Sequence, residues 1–578
     1  MANSLKKRGQ KFVRKFSRAS VKVSAEGKEH IKENLFQRVS HIQNVKLLIL
    51  EWGLLVSALI MLAVTQAFWF SASYAEDTFV SGGTYTEATV GRVNSLNPLF
   101  ATTSSEKTLS SLMFATLVAV DYSGHTGPGL AESVRASEDG KVWTIRLRDN
   151  LKWSDGEPIT NEDVIFTTDL IRNPAVNTIY DANLEKVEIR ENAGGEIIFR
   201  LPSSYADFQS ALKFPLVPKH VLEDAPIKTL VEDEFSVKPV TSGAFMFNAT
   251  QVTAISDETV YYLSANPYYY KGQPMVDSFA VHTYENKLGV VEAVNAGTVT
   301  ATAELGVADA QKVTSGRYDT RETSVNSGAF MFLNMANGVL KNRALRLAIR
   351  QGLNMEEVRA AAPGAAALDY PLIGSQISLS EYPALQAYNF ADATNTVAAA
   401  RGDGQIGLNV VTVNLGYLPE VAAKVVEQLN TIGFTAELTT YEENQEFVAS
   451  VVAKRNYDIL IYEIELGADP DPLPYYHSSQ AGTAGLNLSG YRNALVDDLL
   501  VGARETLDTT LRARKYETFL EYWVEDIPAI GLYQANLTYI YSKNTLTYGD
   551  SVRLVTALDR FTDVCNWGVV KGTKNLTP

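Results

Sequence analysis

The sequence predicts an α/β protein carried behind one N-terminal membrane-spanning helix. Three observations predict it: a basic segment followed by an uncharged apolar run, a period-two hairpin near residue 140, and alternating strand and helix patterns between residues 408 and 464. The apolar run comes first. From Leu47 the chain reads LLILEWGLLVSALIMLAVTQAFWF, and the nineteen residues Trp52–Phe70 carry no formal charge. That length crosses about 30 Å of hydrocarbon as a helix. Phe68, Trp69 and Phe70 end the run with rings suited to an interface. Residues 1–46 hold twelve Lys or Arg against three Glu, a net +9, whereas the remainder carries −24 of the chain's −15 total. Positive flanks stay cytoplasmic. The expected topology therefore has a basic segment 1–46 inside, 47–70 across the membrane, and an acidic bulk outside, extracellular or periplasmic. The position of the basic arm directly before the span assigns it to topology rather than nucleic-acid binding. Ser73-Tyr74-Ala75 also reads as a small-x-small cleavage site, but the long basic segment favours retention as an anchor. Residues 71–83, ending in Gly82-Gly83, read as a linker.

After the linker come a strand at Thr84–Ala88, a loop with Asn97-Pro98, and a helix-like apolar run at Leu109–Val118. Residues 130–153 read as a hairpin turning at Ser137–Gly140, with Trp143, Ile145 and Leu147 alternating against Val142, Thr144, Arg146 and Arg148. Thr160, with Asp163 three residues on, opens a helix in a capping-box arrangement, and Asn173-Pro174 stops it. Leu408–Leu415 reads as a strand. Pro419 opens a helix whose Val421, Val425 and Leu429 share a face, and Gly433 ends it. Phe434–Tyr441 alternates as a strand, Asn444–Ala453 reads as a helix, and Tyr457–Ile464 has the apolar centre of a buried parallel strand. Strand-helix-strand-helix-strand with short connections makes an α/β lobe.

Composition narrows the function classes. With 46% hydrophobic and 20% charged residues, the chain is globular. Its single cysteine, Cys565, excludes an intrachain disulfide and a cysteine metal cage, and reads as a core thiol. Six scattered His show no metal-ligand spacing, so neither a metal nor a cofactor is expected. The G-x-G-x-x-G match at Gly402, Gly404 and Gly407 precedes a strand instead of following one, which is the wrong context for a dinucleotide. G-x-S-x-G, P-loop and H-E-x-x-H patterns do not occur. Glu463 and Glu465 share one strand face without amounting to a glycosidase pair. These readings point away from an enzyme.

Several blocks together resemble the family 5 extracellular solute-binding proteins, which include oligopeptide-, dipeptide- and nickel-binding components of ABC importers. They are Leu96-Asn97-Pro98-Leu99, Leu130–Ser133, WTIRLRDNLKWSDGEPITNEDVIFT (143–167), Arg172, PVTSGAFMF (239–247), LKNRALRLAIRQGLN (340–354), GADPDPLPYYHSS (467–479), Gly485–Asn487 and IPAIGLY (527–533). Thr241 departs from the usual Gly of its block. The resemblance implies a two-lobed, periplasmic-binding-protein-like α/β fold of type II, with an extra subdomain in the first lobe. By position, lobe I would comprise 84–120, 239–330 and 545–578, the extra subdomain 121–238, and lobe II 331–544. It also implies reversible capture of a short peptide in the interlobe cleft, without chemical change, and delivery to an ABC permease and its ATPase. Nickel, haem or a sugar-like solute are alternative ligands, and a ligand sensor is an alternative role.

The resemblance places an ammonium-anchoring aspartate at Asp469, within Leu466-Gly467-Ala468-Asp469, where Leu466 stands in place of the usual Trp. Gly467 and Ala468 would flank the ligand. Asp-Pro-Asp-Pro is also turn-prone, and Asp471 reads as the turn residue. Among the other candidates, Trp153 would line the cleft edge. Tyr475 and His477 would touch the ligand, and Arg346, with Arg350, would offer a cation to a ligand carboxylate.

Overall fold

The computed structural model describes residues 46–178, 180, 184–253, 258–336, 338–442, 445–549 and 551–575. The expected cytoplasmic segment lies outside them apart from Lys46, as does Asn444. The chain forms two units, residues 1–78 with 572–578, and residues 79–571. In the first, α1 (Lys46–Tyr74) is one unbroken helix whose Leu48–Gln66 stretch is long and apolar enough to cross a membrane. The side chains described in that stretch are exposed, as with Leu54, Ile60 and Leu62. The expected linker is not irregular: α1 runs through Tyr74, and Ala75–Val80 is extended.

In the second unit, β1 (Thr84–Val90) leads to α2 (Ser104–Met113). This helix starts five residues before the apolar run suggests, because Thr103 and Glu106 close a capping box, and it stops before Val118. The hairpin forms as β2 (Ala131–Ala136) and β3 (Val142–Leu147), with Trp143 and Ile145 inward. Thr160 and Asp163 open α3 (Asn161–Arg172), with the Thr160 amide donating to the Asp163 carboxylate at 2.8 Å. Next come β4 (Glu188–Glu191), β5 (Ile197–Arg200), β6 (Phe245–Thr253), β7 (Glu258–Ala265), β8 (Ser278–Tyr284), β9 (Ala301–Thr302) and the long β10 (Tyr318–Leu333). Then follow α4 (Arg343–Gly352), β11 (Gly407–Val413), α5 (Leu418–Ile432), β12 (Thr435–Tyr441) and β13 (Ile459–Glu465). Gly433 ends α5 at φ 113°, where the left-handed backbone favours glycine. The chain closes with α6 (Ala494–Arg504), α7 (Thr509–Asp526) and β14 (Ala529–Ser542), then a helical segment Ala557–Asn566.

One ten-stranded sheet runs β12-β11-β13-β10-β14-β9-β1-β8-β7-β6, and β2-β3-β5-β4 form a separate sheet. The two halves of the large sheet carry separate cores. One gathers Ala329–Tyr533, including Ile459, Leu460 and Ile461 of β13. The other gathers Tyr85–Val325 and Ala535–Trp567 and takes in the small sheet. Strands β10 and β14 pass through both. Residues 318–324 of β10 pair with 536–542, residues 328–332 pair with 529–534, and the register breaks between Ser324 and Gly328. This two-strand connection makes the molecule two-lobed. Ala535, Leu537 and Tyr539 of β14, ahead of the expected boundary at 544, belong to the first lobe's core. A strand that stays buried through both lobes gives no break in its residue pattern to mark the crossing.

Candidate functional site

A cavity of about 590 Å³ opens between the lobes. Most of its wall comes from the first lobe: the polar face of α2 (Ser104, Lys107, Thr108, Ser111), Tyr180, Lys213, the run Tyr269-Tyr270-Lys271, Glu304, and residues 556–562. The second lobe contributes Glu465, the last residue of β13. In α/β sheets the carboxyl ends of parallel strands are where ligands bind, and β13 runs parallel to β11.

The wall carries aromatic rings and both signs of charge. Tyr269 and Tyr270 meet edge to face at 5.0 Å. Lys213 Nζ sits 2.6 Å from Asp559 Oδ1. Lys271 Nζ donates to the Thr562 carbonyl at 2.8 Å and lies 5.7 Å from the Tyr270 ring centre. Burial pulls the Lys271 ammonium below its ordinary pKa. Burial also raises the Glu304 carboxyl, against a hydrogen bond from the Ser104 hydroxyl. Arg560 of this wall forms a buried ion pair with Glu87 behind it, and the guanidinium lies 4.0 Å from the Phe561 ring centre. That pair fixes the 557–566 segment, whose Asp559 and Thr562 carry the two lysines.

The sequence-predicted residues divide around this cavity. The 466–471 loop is tightly held. Asn326, at the register break of β10, accepts from the Leu466 amide at 2.7 Å and donates to the Gly467 carbonyl at 2.8 Å. Gln376 donates to the carbonyls of Leu466 and Gly467, and Tyr516 donates to the Pro470 carbonyl at 2.7 Å. Gly467 needs its left-handed φ of 75° for this turn. Asp469 accepts two hydrogen bonds from Arg512, at 2.6 and 2.7 Å, and Asp471 pairs with Arg504. Burial raises the Asp469 carboxyl despite Arg512. Among the described residues lining the cavity, Gly467, Ala468 and Asp469 do not figure; the loop lies just beyond Glu465.

Tyr475 is half-buried and donates to the Glu465 carbonyl at 2.7 Å, so it supports the cavity's edge. His477 accepts from the Ser479 amide at 3.0 Å, a capping role, with Asp497 3.9 Å away. Two expectations are corrected. Trp153 is fully buried beside His220 and reaches no cleft edge. Arg346 is 3% exposed and gives four hydrogen bonds to the carbonyls of Asp526, Leu340 and Lys341. Its fork is spent on the chain, so it offers no cation to a ligand. Among the described residues, no cluster of three or more His, Cys, Asp or Glu could hold a metal ion.

The lobes also touch away from the cavity. The Ala206 amide donates to the Arg504 carbonyl at 2.7 Å, and the Ser204 hydroxyl to the Glu505 carbonyl at 2.8 Å. Arg504 lies over the Tyr205 ring at 5.1 Å. Asp207, with Ser210 donating at 2.6 Å, is pushed up to about 8 by burial and then by the neighbouring Asp469.

The model of the bacterial extracellular solute-binding proteins, family 5, matches residues 125–487, more than half of the chain. The chain belongs to this family. The oligopeptide-binding protein AppA of Bacillus subtilis is 24% identical over 480 residues, covering 79% of this chain and 87% of AppA. The structure of that AppA with a nonapeptide covers 85% of this chain and 100% of its own, with a TM-score of 0.69 and 21% identity. NikZ from Campylobacter jejuni, solved with Ni(L-His), covers 84% of this chain and 99% of its own, with a TM-score of 0.70 and 20% identity. These solved structures share the two-lobed fold.

Most of the cavity wall of this family 5 protein carries no pattern in its sequence. Tyr269, Tyr270 and Lys271 follow Asn266-Pro267 in an aromatic run that was a usable signal. Glu304 and Lys213 carry no local signal. Glu465 reads in the sequence only as half of an acid pair, because the wall it faces comes from the other lobe.

Proposed function

We propose that this protein captures a short peptide between its lobes, holds it without chemical change, and delivers it to the permease and ATPase of an ABC importer. The observation that carries this reading is the interlobe cavity of about 590 Å³, walled by tyrosines and by charges of both signs. A peptide brings exactly such a mixture of apolar side chains and charged ends. The volume falls in the ordinary range for small-ligand sites, ~300–1,000 Å³. Relatives named for oligopeptide and dipeptide binding support the ligand class. The two-strand connection at 325–328 and 534 supports a hinge, so that ligand contacts from both lobes favour the closed arrangement. We take the lobes to divide at those crossings, with the sheet of β2–β5 as the core of the extra subdomain. On this reading α1 tethers the domain to the cell membrane, with the basic segment inside and the bulk outside.

Thermal unfolding with a synthetic library of tri- to nonapeptides tests the proposal. Ligand at about a hundred times Kd stabilises the folded state by ~2.7 kcal/mol, so the midpoint should rise by about 2–3 degrees. No rise with peptides, together with a rise for the nickel–histidine complex, would transfer the reading to a metal-chelate receptor.

A further inference from the structure

We propose that Glu465, rather than Asp469, is the residue that receives the cationic end of the ligand. This inference rests on the peptide reading above and assigns a residue to it. Three observations carry it. First, both Asp469 oxygens already accept hydrogen bonds from Arg512, which is itself buried. A ligand ammonium there would have to compete with a bidentate guanidinium, the stronger and already desolvated partner. Second, Glu465 is the second-lobe residue on the cavity wall; its side chain is exposed there, and no salt bridge to it is found among the described residues. Third, the opposite wall offers cations to the other end of a peptide. Lys213 is already paired with Asp559 and Glu304 shares that wall, but Lys107 and Lys271 line it with no salt bridge found among the described residues, Lys271 Nζ donating only to the Thr562 carbonyl. A zwitterion can then seat its ammonium at Glu465 and its carboxylate at one of those two lysines.

The backbone at Glu465 is fixed from both sides. Its strand pairs with Ser327 next to the register break of β10, and its carbonyl accepts from Tyr475. The carboxylate therefore moves with the second lobe. An ammonium bound to it links that lobe to a ligand seated on the first.

The test uses the full-length protein in detergent and two synthetic libraries of lysine-free tri- to nonapeptides, one with free α-amines and one N-acetylated. Wild type should prefer the free-amine library. Glu465→Gln should lose at least about tenfold in affinity for it, the worth of one charge-assisted hydrogen bond, and keep the wild-type affinity for the acetylated library. Glu465→Ala should behave alike, with an unchanged melting midpoint showing that the fold is intact. Asp469→Asn should lower the midpoint and affect both libraries equally. If Glu465→Gln binds both libraries as wild type does, or if Asp469→Asn alone discriminates between them, the assignment to Glu465 is overturned and the peptide reading stands. If wild type binds neither library, both fall.

Discussion

Asp469 and Asp471 each meet an arginine from a separate helix, Arg512 of α7 and Arg504 of α6, and the pairs hold the loop after β13 against those two helices. Removing one partner of a largely buried pair leaves the other charge uncompensated. Arg512→Ala should therefore destabilise the domain by roughly 3 kcal/mol, read as a lowered urea midpoint. Asp207 lies against the same group from the other lobe. Its carboxyl is raised to about 8 in the folded protein, mainly by burial, whereas an unfolded aspartate titrates near ~3.9. The folded state thus holds the extra proton. The stabilisation is complete below the unfolded value and is lost as pH rises through the folded one. The melting midpoint should fall between pH 5 and pH 8.5, two values bracketing most of that window, and Asp207→Asn should flatten the fall. An equal slope in the variant would remove Asp207 from the account. At this scale the sequence was partly misleading. Trp153 and Arg346 are residue types that often line binding clefts, but exposure is a tertiary property. Here one packs in a core and the other satisfies the carbonyls at the end of α7.

Elements whose pattern is local were legible. Period two marked β3 and a turn at Ser137–Gly140 marked its hairpin with β2, a capping box marked α3, and a left-handed glycine marked the end of α5. What was not legible is what the elements share. β14 is buried along nearly its whole length, so its passage from one core to the other leaves no trace in polarity. The PVTSGAFMF block shows the opposite case, in which a motif has a packing reason. Gly243 donates its amide to the Met113 carbonyl at 2.7 Å, and a Cβ there would lie 2.5–2.6 Å from the backbone at the end of α2. Backbone cannot swing aside as a side chain does. Gly243→Ala should cost about 1–3 kcal/mol and lower the melting midpoint. Because α2 forms one cavity wall, peptide affinity should fall with it. A variant as stable as wild type would show that α2 tolerates displacement.

For the whole molecule, charge and hydropathy gave the order of parts: a basic segment, an apolar helix and an acidic domain. If α1 is retained, the protein stays with membranes through an alkaline carbonate wash and its N-terminal peptide is recovered by mass spectrometry; a mature chain starting at Glu76 would mark a cleaved signal instead. The cavity was beyond the reach of the sequence because its wall is assembled from segments as far apart as Ser104 and Thr562, with Glu465 arriving from the other lobe. The claim on which everything else depends is that a solute is enclosed there and leaves unaltered. Native mass spectrometry of the full-length protein incubated with the free-amine peptide library measures this most directly. The account predicts one peptide per chain, released on gas-phase activation at its input mass. Peptides that are cleaved, or that associate in no fixed ratio, would contradict it.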